Sequence, residues 1–240
     1  MMRLLDLYCC EGGASTGYAR AGFEVIGVDL FDKFSIKRYP FEAIRSDAIE
    51  FLEIHGYEFD VIHASPPCQH ASAGTRALDR SRYPELITPT RQALLRLGKP
   101  YILENVRGSS LHDPIELCGC MFNMTAIDDD GVLLHLQRAR LFESNMPLTP
   151  PAPHDHSDHE WVGGSYGGAR KNKYEAKYER KGGYVPSIPV QKKLLGIDWM
   201  TQRGMFQAIP PTYTEWVGRQ VIQYLSSGKI SPPVRDTFSK

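Results

Sequence analysis

Cys68 stands in Ser65-Pro66-Pro67-Cys68-Gln69, directly after an apolar run, and Glu104-Asn105-Val106 closes a second apolar run downstream. A thiol held by prolines at a strand end is placed to attack an electrophile. A carboxyl and an amide at the end of another strand are placed to hold what is attacked. An unperturbed thiol with a pKa near 8.5 is only about a tenth ionised at pH 7.5, so a nearby arginine or an electron-poor substrate is needed. The competing reading is a small buried hydrophobe, but a turn beside Pro67 and Gln69 is a poor place for a core residue. Glu104, shielded from water, would keep its proton to higher pH and donate it to a ring nitrogen. An acid that merely caps a helix or forms a turn is the plainer alternative.

A second set of residues lies upstream, in Asp6-Leu7-Tyr8-Cys9-Cys10-Glu11-Gly12-Gly13-Ala14-Ser15. Here a strand runs into a glycine loop and then a helix, where free N–H groups and the helix dipole can receive a carboxylate or phosphate. Asp29 ends the next strand and can accept from ribose hydroxyls, and Asp47 follows the third and can meet an adenine amino group. The loop lacks the dinucleotide fingerprint and no Walker lysine follows it. A Gly-Gly pair alone is also a plain turn; two acids at successive strand ends add weight to cofactor binding.

The elements that must position these residues alternate. Strands are expected at residues 4–8, 25–30, 43–45, 59–64 and 101–104, and helices at 15–21, 48–55 and 88–97. Continuous apolar strands separated by helices imply a parallel sheet covered on both faces, a doubly wound α/β domain with ligands at the carboxyl ends of its strands. After about residue 144 the pattern changes to proline, histidine and glycine, then to a stretch dense in Lys, Arg and Tyr, which implies a small irregular lobe. A helix over 213–224, with Trp216, Val217 and Val221 inward, restores regular structure.

The 240 residues can bury one substantial core with a small appended lobe. Hydrophobic content of 42% and charged content of 23% are those of a globular chain, and neither a signal peptide nor a membrane anchor is expected. Five cysteines, odd in number and not spaced as a disulfide framework, suggest a reducing cytoplasm. Zero net charge, from 28 Lys+Arg against 28 Asp+Glu, excludes attachment to nucleic acid by bulk charge alone.

Local charge is uneven. Arg76, Arg80 and Arg82 follow Cys68 and can contact phosphates, or form a solvated loop. Arg170, Lys171 and Lys173, with Lys177, Arg180, Lys181 and interleaved tyrosines, make the strongest basic stretch. His154, His156 and His159, beside Asp155 and Asp158, match no standard zinc spacing, and Cys118-Gly119-Cys120 is too tight for a common zinc pair. A polar loop, and cysteines packed beside Met121-Phe122, are the expectation, with no metal site.

The order of these motifs resembles that of the cytosine carbon-5 DNA methyltransferases. Residues 6–17, Pro66-Pro67-Cys68-Gln69, Glu104-Asn105-Val106, Arg138-Ala139-Arg140 and Gln207-Ala208-Ile209-Pro210-Pro211 follow the family series. The resemblance implies a Rossmann-like class I methyltransferase domain at 1–143 plus 195–240, with a reduced target-recognition region at 144–194. It implies S-adenosylmethionine as cofactor, held by Asp6, Tyr8, Glu11, Gly12, Gly13, Asp29, Leu30, Asp47, Ala48, Pro66, Gln207 and Ala208. Cys68 would add to carbon 6 of a flipped-out cytosine, Glu104 would contact ring nitrogen 3, Asn105 would orient the turn, and Arg138 and Arg140 would sit near the cytosine oxygen and the nucleophile. Gln69 joins the basic residues above as a DNA contact. Departures from the pattern are Leu136 where Gln is usual, Phe206-Gln207 where Gly-Asn is usual, and Glu11, which adds negative charge near the cofactor.

The resemblance further implies double-stranded DNA as partner, a monomer, the cytoplasm of a bacterium or phage-infected host, and an orphan enzyme rather than half of a restriction fusion. A short recognition region implies a short recognition sequence. Three other readings share these motifs: a tRNA cytosine methyltransferase, a cytosine-modifying enzyme with a variant donor, and a non-catalytic DNA-binding relative. Retention of both Cys68 and Glu104 opposes the last.

Overall fold

The computed structural model describes residues 1–30, 36–68, 84–165 and 184–228. Five strands run parallel: β1 (Arg3–Leu7), β2 (Glu24–Asp29), β3 (Glu42–Arg45), β4 (Val61–Ala64) and β5 (Tyr101–Asn105). Two later strands, β6 (Ile115–Leu117) and β9 (Arg140–Ser144), extend the sheet to the order β3-β2-β1-β4-β5-β9-β6, with β9 antiparallel to both neighbours. The chain leaves β1 toward β2 and β3 on one side and toward β4 and β5 on the other. That reversal opens a crevice beyond the carboxyl ends of β1 and β4.

Apolar continuity explains the sheet. Leu4, Leu5, Leu7, Val28, Val61, Ile62 and Leu103 are fully buried, each worth about 1.5–3 kcal/mol of transfer free energy. Helix α1 (Gly13–Ala21) and the long α6 (Pro211–Ser226) cover one face through Tyr18, Tyr213, Val217 and Val221, with Trp216 partly buried against them. Helices α2 (Ala48–His55) and α3 (Ile87–Leu97) cover the other through Leu52, Ala93 and Leu94. The approach of α1 to α6 needs Gly17, where an added Cβ would lie 2.0 Å from Thr214 Oγ1. On the second face a buried ion pair fastens α3 to β9: Arg91 donates from Nε to Glu143 Oε1 at 2.8 Å and from a terminal nitrogen to Oε2 at 2.7 Å.

The small lobe is more regular than its sequence implies. Strands β7 (Thr125–Ile127), β8 (Leu133–Leu136) and β10 (Val162–Gly163) form a second sheet in the order β10-β8-β7. Helices α4 (Ile188–Leu195) and α5 (Gln202–Gln207) pack on it through Val190, Leu194 and Met205, joined by Tyr184 from the segment before α4. Two of its three strands precede residue 144, and its core runs on to Ala208. Among the described residues, no helix is long and apolar enough to cross a membrane.

Candidate active site

The turn after β1 is built around a carboxylate. Asp29, at the end of β2, accepts from the Cys10 N–H at 2.8 Å and from the Leu30 N–H at 2.7 Å, joining the loops that follow β1 and β2. Tyr8 and Cys10 take left-handed backbone angles, φ 60° and 50°, that non-glycine residues rarely adopt outside constrained sites. Helix α1 starts without a side-chain cap, so its first N–H groups and the positive end of its dipole are left beside Gly13. An added Cβ at Gly13 would lie 2.5 Å from the Ile209 carbonyl, so only glycine admits the closing segment here.

The turn after β4 is fastened to the end of β5 by Asn105. Its side-chain amide donates to the Pro66 carbonyl at 2.8 Å, and its own oxygen accepts from the Val106 N–H at 2.9 Å. Cys68 is thereby held two residues beyond a fixed point. Glu104, one residue earlier, is 5% exposed. Its Oε1 lies 3.2 Å from Arg140 Nε but without hydrogen-bond geometry, and among the described residues no hydrogen bond reaches that oxygen. Burial lifts the Glu104 carboxyl to about 7 against the opposing pull of Arg140 and Arg138. The Cys68 thiol is also raised by burial; Arg140 and Arg138 oppose the rise and Glu104 adds to it. A proton on Glu104 therefore favours the Cys68 thiolate.

The third wall comes from the carboxyl-terminal segment. Glu11 accepts from the Thr201 N–H at 2.7 Å and from the Thr201 hydroxyl at 2.6 Å, and Trp199 Nε1 donates to the Glu11 carbonyl at 2.8 Å. Glu11, which also lines the cavity, thereby anchors the start of α5, which Thr201 caps. Arg138, 1% exposed, donates to the carbonyls of Ala208 and Phe206, both at 2.9 Å, and to that of Ser165.

These walls enclose a cavity of about 360 Å³ lined by Cys68, Glu104, Arg140 and Pro66 on one side, Tyr8, Glu11, Gly13, Asp29 and Leu30 on another, and Gln207 and Ala208 on the third. Met200, Arg203 and Gly204 also line it and were not anticipated, although they immediately precede the closing motif. Asn105 and Arg138 hold these walls through the hydrogen bonds above without lining the cavity themselves. Four expected cofactor residues, Gly12, Asp6, Asp47 and Ala48, are not among those lining the cavity. Asp6 is buried beneath the loop, where Ser15 donates to it and Tyr39 donates to Ser15 at 2.8 Å. Asp47 caps α2, accepting from the N–H groups of Ile49 at 2.9 Å and Glu50 at 3.0 Å, and Ala48 is buried behind it. Gln69, Arg76, Arg80, Arg82, Arg170, Lys171 and Lys173 lie outside the described residues. The histidine loop, expected to be a polar loop with no metal site, meets Cys118 and Cys120. The antiparallel pairing of β6 with β9 brings the two segments together.

A parallel-rich sheet reversed by one antiparallel strand, with a cavity at its switch point, is the Rossmann-like methyltransferase fold. The S. pombe Dnmt2 methyltransferase shares it at TM-score 0.57 and 12% identity over 94% of this chain and 99% of that one. A prophage-encoded DNA modification methyltransferase from E. coli does so at 0.55 and 15% identity, over 94% and 100%. Residues 2–123 match the C-5 cytosine-specific DNA methylase family, and the chain belongs to it. A Type II methyltransferase of Fusobacterium nucleatum, M.FnuDI, is 36% identical over 72 residues, 28% of this chain and 21% of that protein. The chain thus spans about a fifth of the length of that curated relative.

Proposed function

We propose that the chain methylates carbon 5 of cytosine in double-stranded DNA, with Cys68 as nucleophile and Glu104 as acid. One observation carries this reading: Cys68, Glu104 and Arg140 line the same cavity as Gly13, Asp29 and Leu30. Reacting groups and nucleoside-binding groups therefore meet in one place.

The residues suit S-adenosylmethionine, which when bound supplies an electrophilic methyl group on a sulfonium. The uncapped start of α1 offers N–H groups to a carboxylate. Asp29 keeps acceptor capacity for ribose hydroxyls beyond its two backbone bonds. Leu30, 68% exposed at the cavity wall, offers apolar cover for a base, and the volume falls in the range of small-molecule sites.

The target cytosine must leave the duplex stack before its ring face can be reached. Cys68, once deprotonated, bonds to carbon 6 while Glu104 donates a hydrogen bond to nitrogen 3, so the ring's negative charge is held as an enamine. Arg140 steadies the Glu104 carboxyl and favours the thiolate. Once carbon 5 carries the methyl group, loss of its proton and expulsion of Cys68 restore the aromatic ring. Asn105 acts as a positioning residue through Pro66, and Arg138 as one through the carbonyls at the end of α5. Target recognition is assigned to 144–194, and phosphate contacts to Arg76, Arg80, Arg82, Arg170, Lys171 and Lys173 on their charge.

Nucleoside mass spectrometry after incubation with S-adenosylmethionine, on duplex DNA and tRNA in parallel, tests this. The expected result is 5-methylcytosine in DNA, absent with Cys68→Ala. Product in tRNA alone would overturn the DNA assignment and keep the chemistry, and product in neither would overturn both.

A further inference from the structure

Away from the cavity, four metal-ligating side chains converge where the end of β6 meets the loop after β9. Cys118 and Cys120 flank Gly119 at the 3-10 turn following β6, and His154 and His156 come from the loop. One ligand atom from each lies within 4.8 Å of all the others. Cys118 Sγ is 3.4 Å from His156 Nε2, close to the ~3.6 Å that bonds of about 2.0–2.3 Å subtend across a tetrahedral angle.

The remaining ring nitrogens are already engaged. His154 Nδ1 pairs with Glu116, which Arg107 holds in turn, and an Arg107 nitrogen lies 2.8 Å from that same Nδ1. His156 Nδ1 is 3.0 Å from His159 Nδ1. Each imidazole therefore keeps Nε2 for the cluster, and a carboxylate behind a histidine is the arrangement that orients ligands around zinc. Cys118 Sγ also accepts from the Arg138 backbone N–H at 3.4 Å, a bond that suits a thiolate. Two thiolates and two imidazoles without an open position are a donor set for zinc.

We propose that Cys118, Cys120, His154 and His156 bind one Zn²⁺ in a closed, four-coordinate structural site. None of the four lines the cavity, so the ion's role is to brace. It would cross-link the end of β6 to the 154–156 loop, the two segments that lead into a lobe whose strands are only two to four residues long. It would also fix Cys118 beneath Arg138, two residues before Arg140. The proposal is independent of which nucleic acid is methylated.

The test is metal analysis of tag-free, full-length protein by mass spectrometry, followed by replacement with Co²⁺ as a spectroscopic probe. The expected result is close to one zinc per chain, with thiolate-to-cobalt charge transfer and the intense d–d bands of a tetrahedral site. Both should be lost in Cys120→Ser and His154→Ala and kept in Cys10→Ser. Zinc near zero that does not rise on adding Zn²⁺, an octahedral cobalt spectrum, or zinc unchanged in Cys120→Ser and His154→Ala would overturn the site. Should a variant fail to fold, the wild-type cobalt spectrum decides.

Discussion

The interior of β1 and the end of β5 each hold a buried carboxyl, Asp6 and Glu104, and burial pushes both to about 7. Among the described residues, each keeps one oxygen without a hydrogen-bond partner. Their surroundings then diverge. Asp6 is enclosed by Ser15 and by His63, whose Nε2 lies 3.9 Å away, and it does not line the cavity. Glu104 opens onto the cavity beside Cys68 and Arg140. Burial sets the proton affinity of both groups, whereas access to a ligand decides which one can do chemistry.

The largest expected effect separates the two directly. Under the proposed mechanism Glu104→Gln should lower kcat about 10²–10⁴-fold, the usual weight of a general acid, while Asp6→Asn should leave kcat near wild type. Steady-state methylation assays compare them, and an equal loss in both would erase the distinction.

A third buried carboxyl, Glu143, sharpens the contrast because it is fully paired. Arg91→Met would strand it in the core and should cost about 3–5 kcal/mol in urea denaturation. Asp6→Asn and Glu104→Gln remove poorly paired buried acids, so near pH 8 both should hold or raise stability.

The pH dependence follows from the same shifts. Asp6 and Glu104 rise from 3.8 and 4.5 to about 7 on folding, so between those values the folded chain binds more protons than the unfolded one. Stability should therefore fall as pH rises from about 4 to 7 and level off above, on the order of 3 kcal/mol per group. Each neutral variant should flatten that slope by one group's share in denaturation curves taken across the range. A slope unchanged in Asp6→Asn would show that Asp6 is not the buried acid described.

The smallest effect lies on the third wall. Thr201→Val removes the cap of α5 and a bond to Glu11, and should cost about 1–2 kcal/mol. Calorimetry should show weaker S-adenosylmethionine binding, with kcat less affected.

The sheet and the turns that carry Cys68 and Glu104 were legible in the sequence because the strands are continuous apolar runs and the helices carry local signals. Helix α2 matches its expected bounds, 48–55, because Asp47 and Glu50 mark its start in the manner of a capping box. That same capping explains why Asp47 does not reach the cavity. Strands β7, β8 and β10 were missed, since two to four residues are too few to reveal a period. Glu11 lines the cavity as expected, but its anchoring by Thr201 was not legible, because the two lie 190 residues apart. Cys118 and His156, 38 residues apart, meet only through the β6–β9 pairing, which no local spacing encodes.

The most direct test of the Cys68–Glu104 assignment is covalent capture on duplex DNA in which the target cytosine carries fluorine at carbon 5, in the presence of S-adenosylmethionine. Fluorine cannot leave as a proton does, so the bond from Cys68 to carbon 6 should persist on a denaturing gel. An adduct with wild type and Asp6→Asn, slowed in Glu104→Gln and absent in Cys68→Ser, is the expected result. An adduct that survives Cys68→Ser, or none with wild-type protein that methylates unmodified DNA, would contradict it.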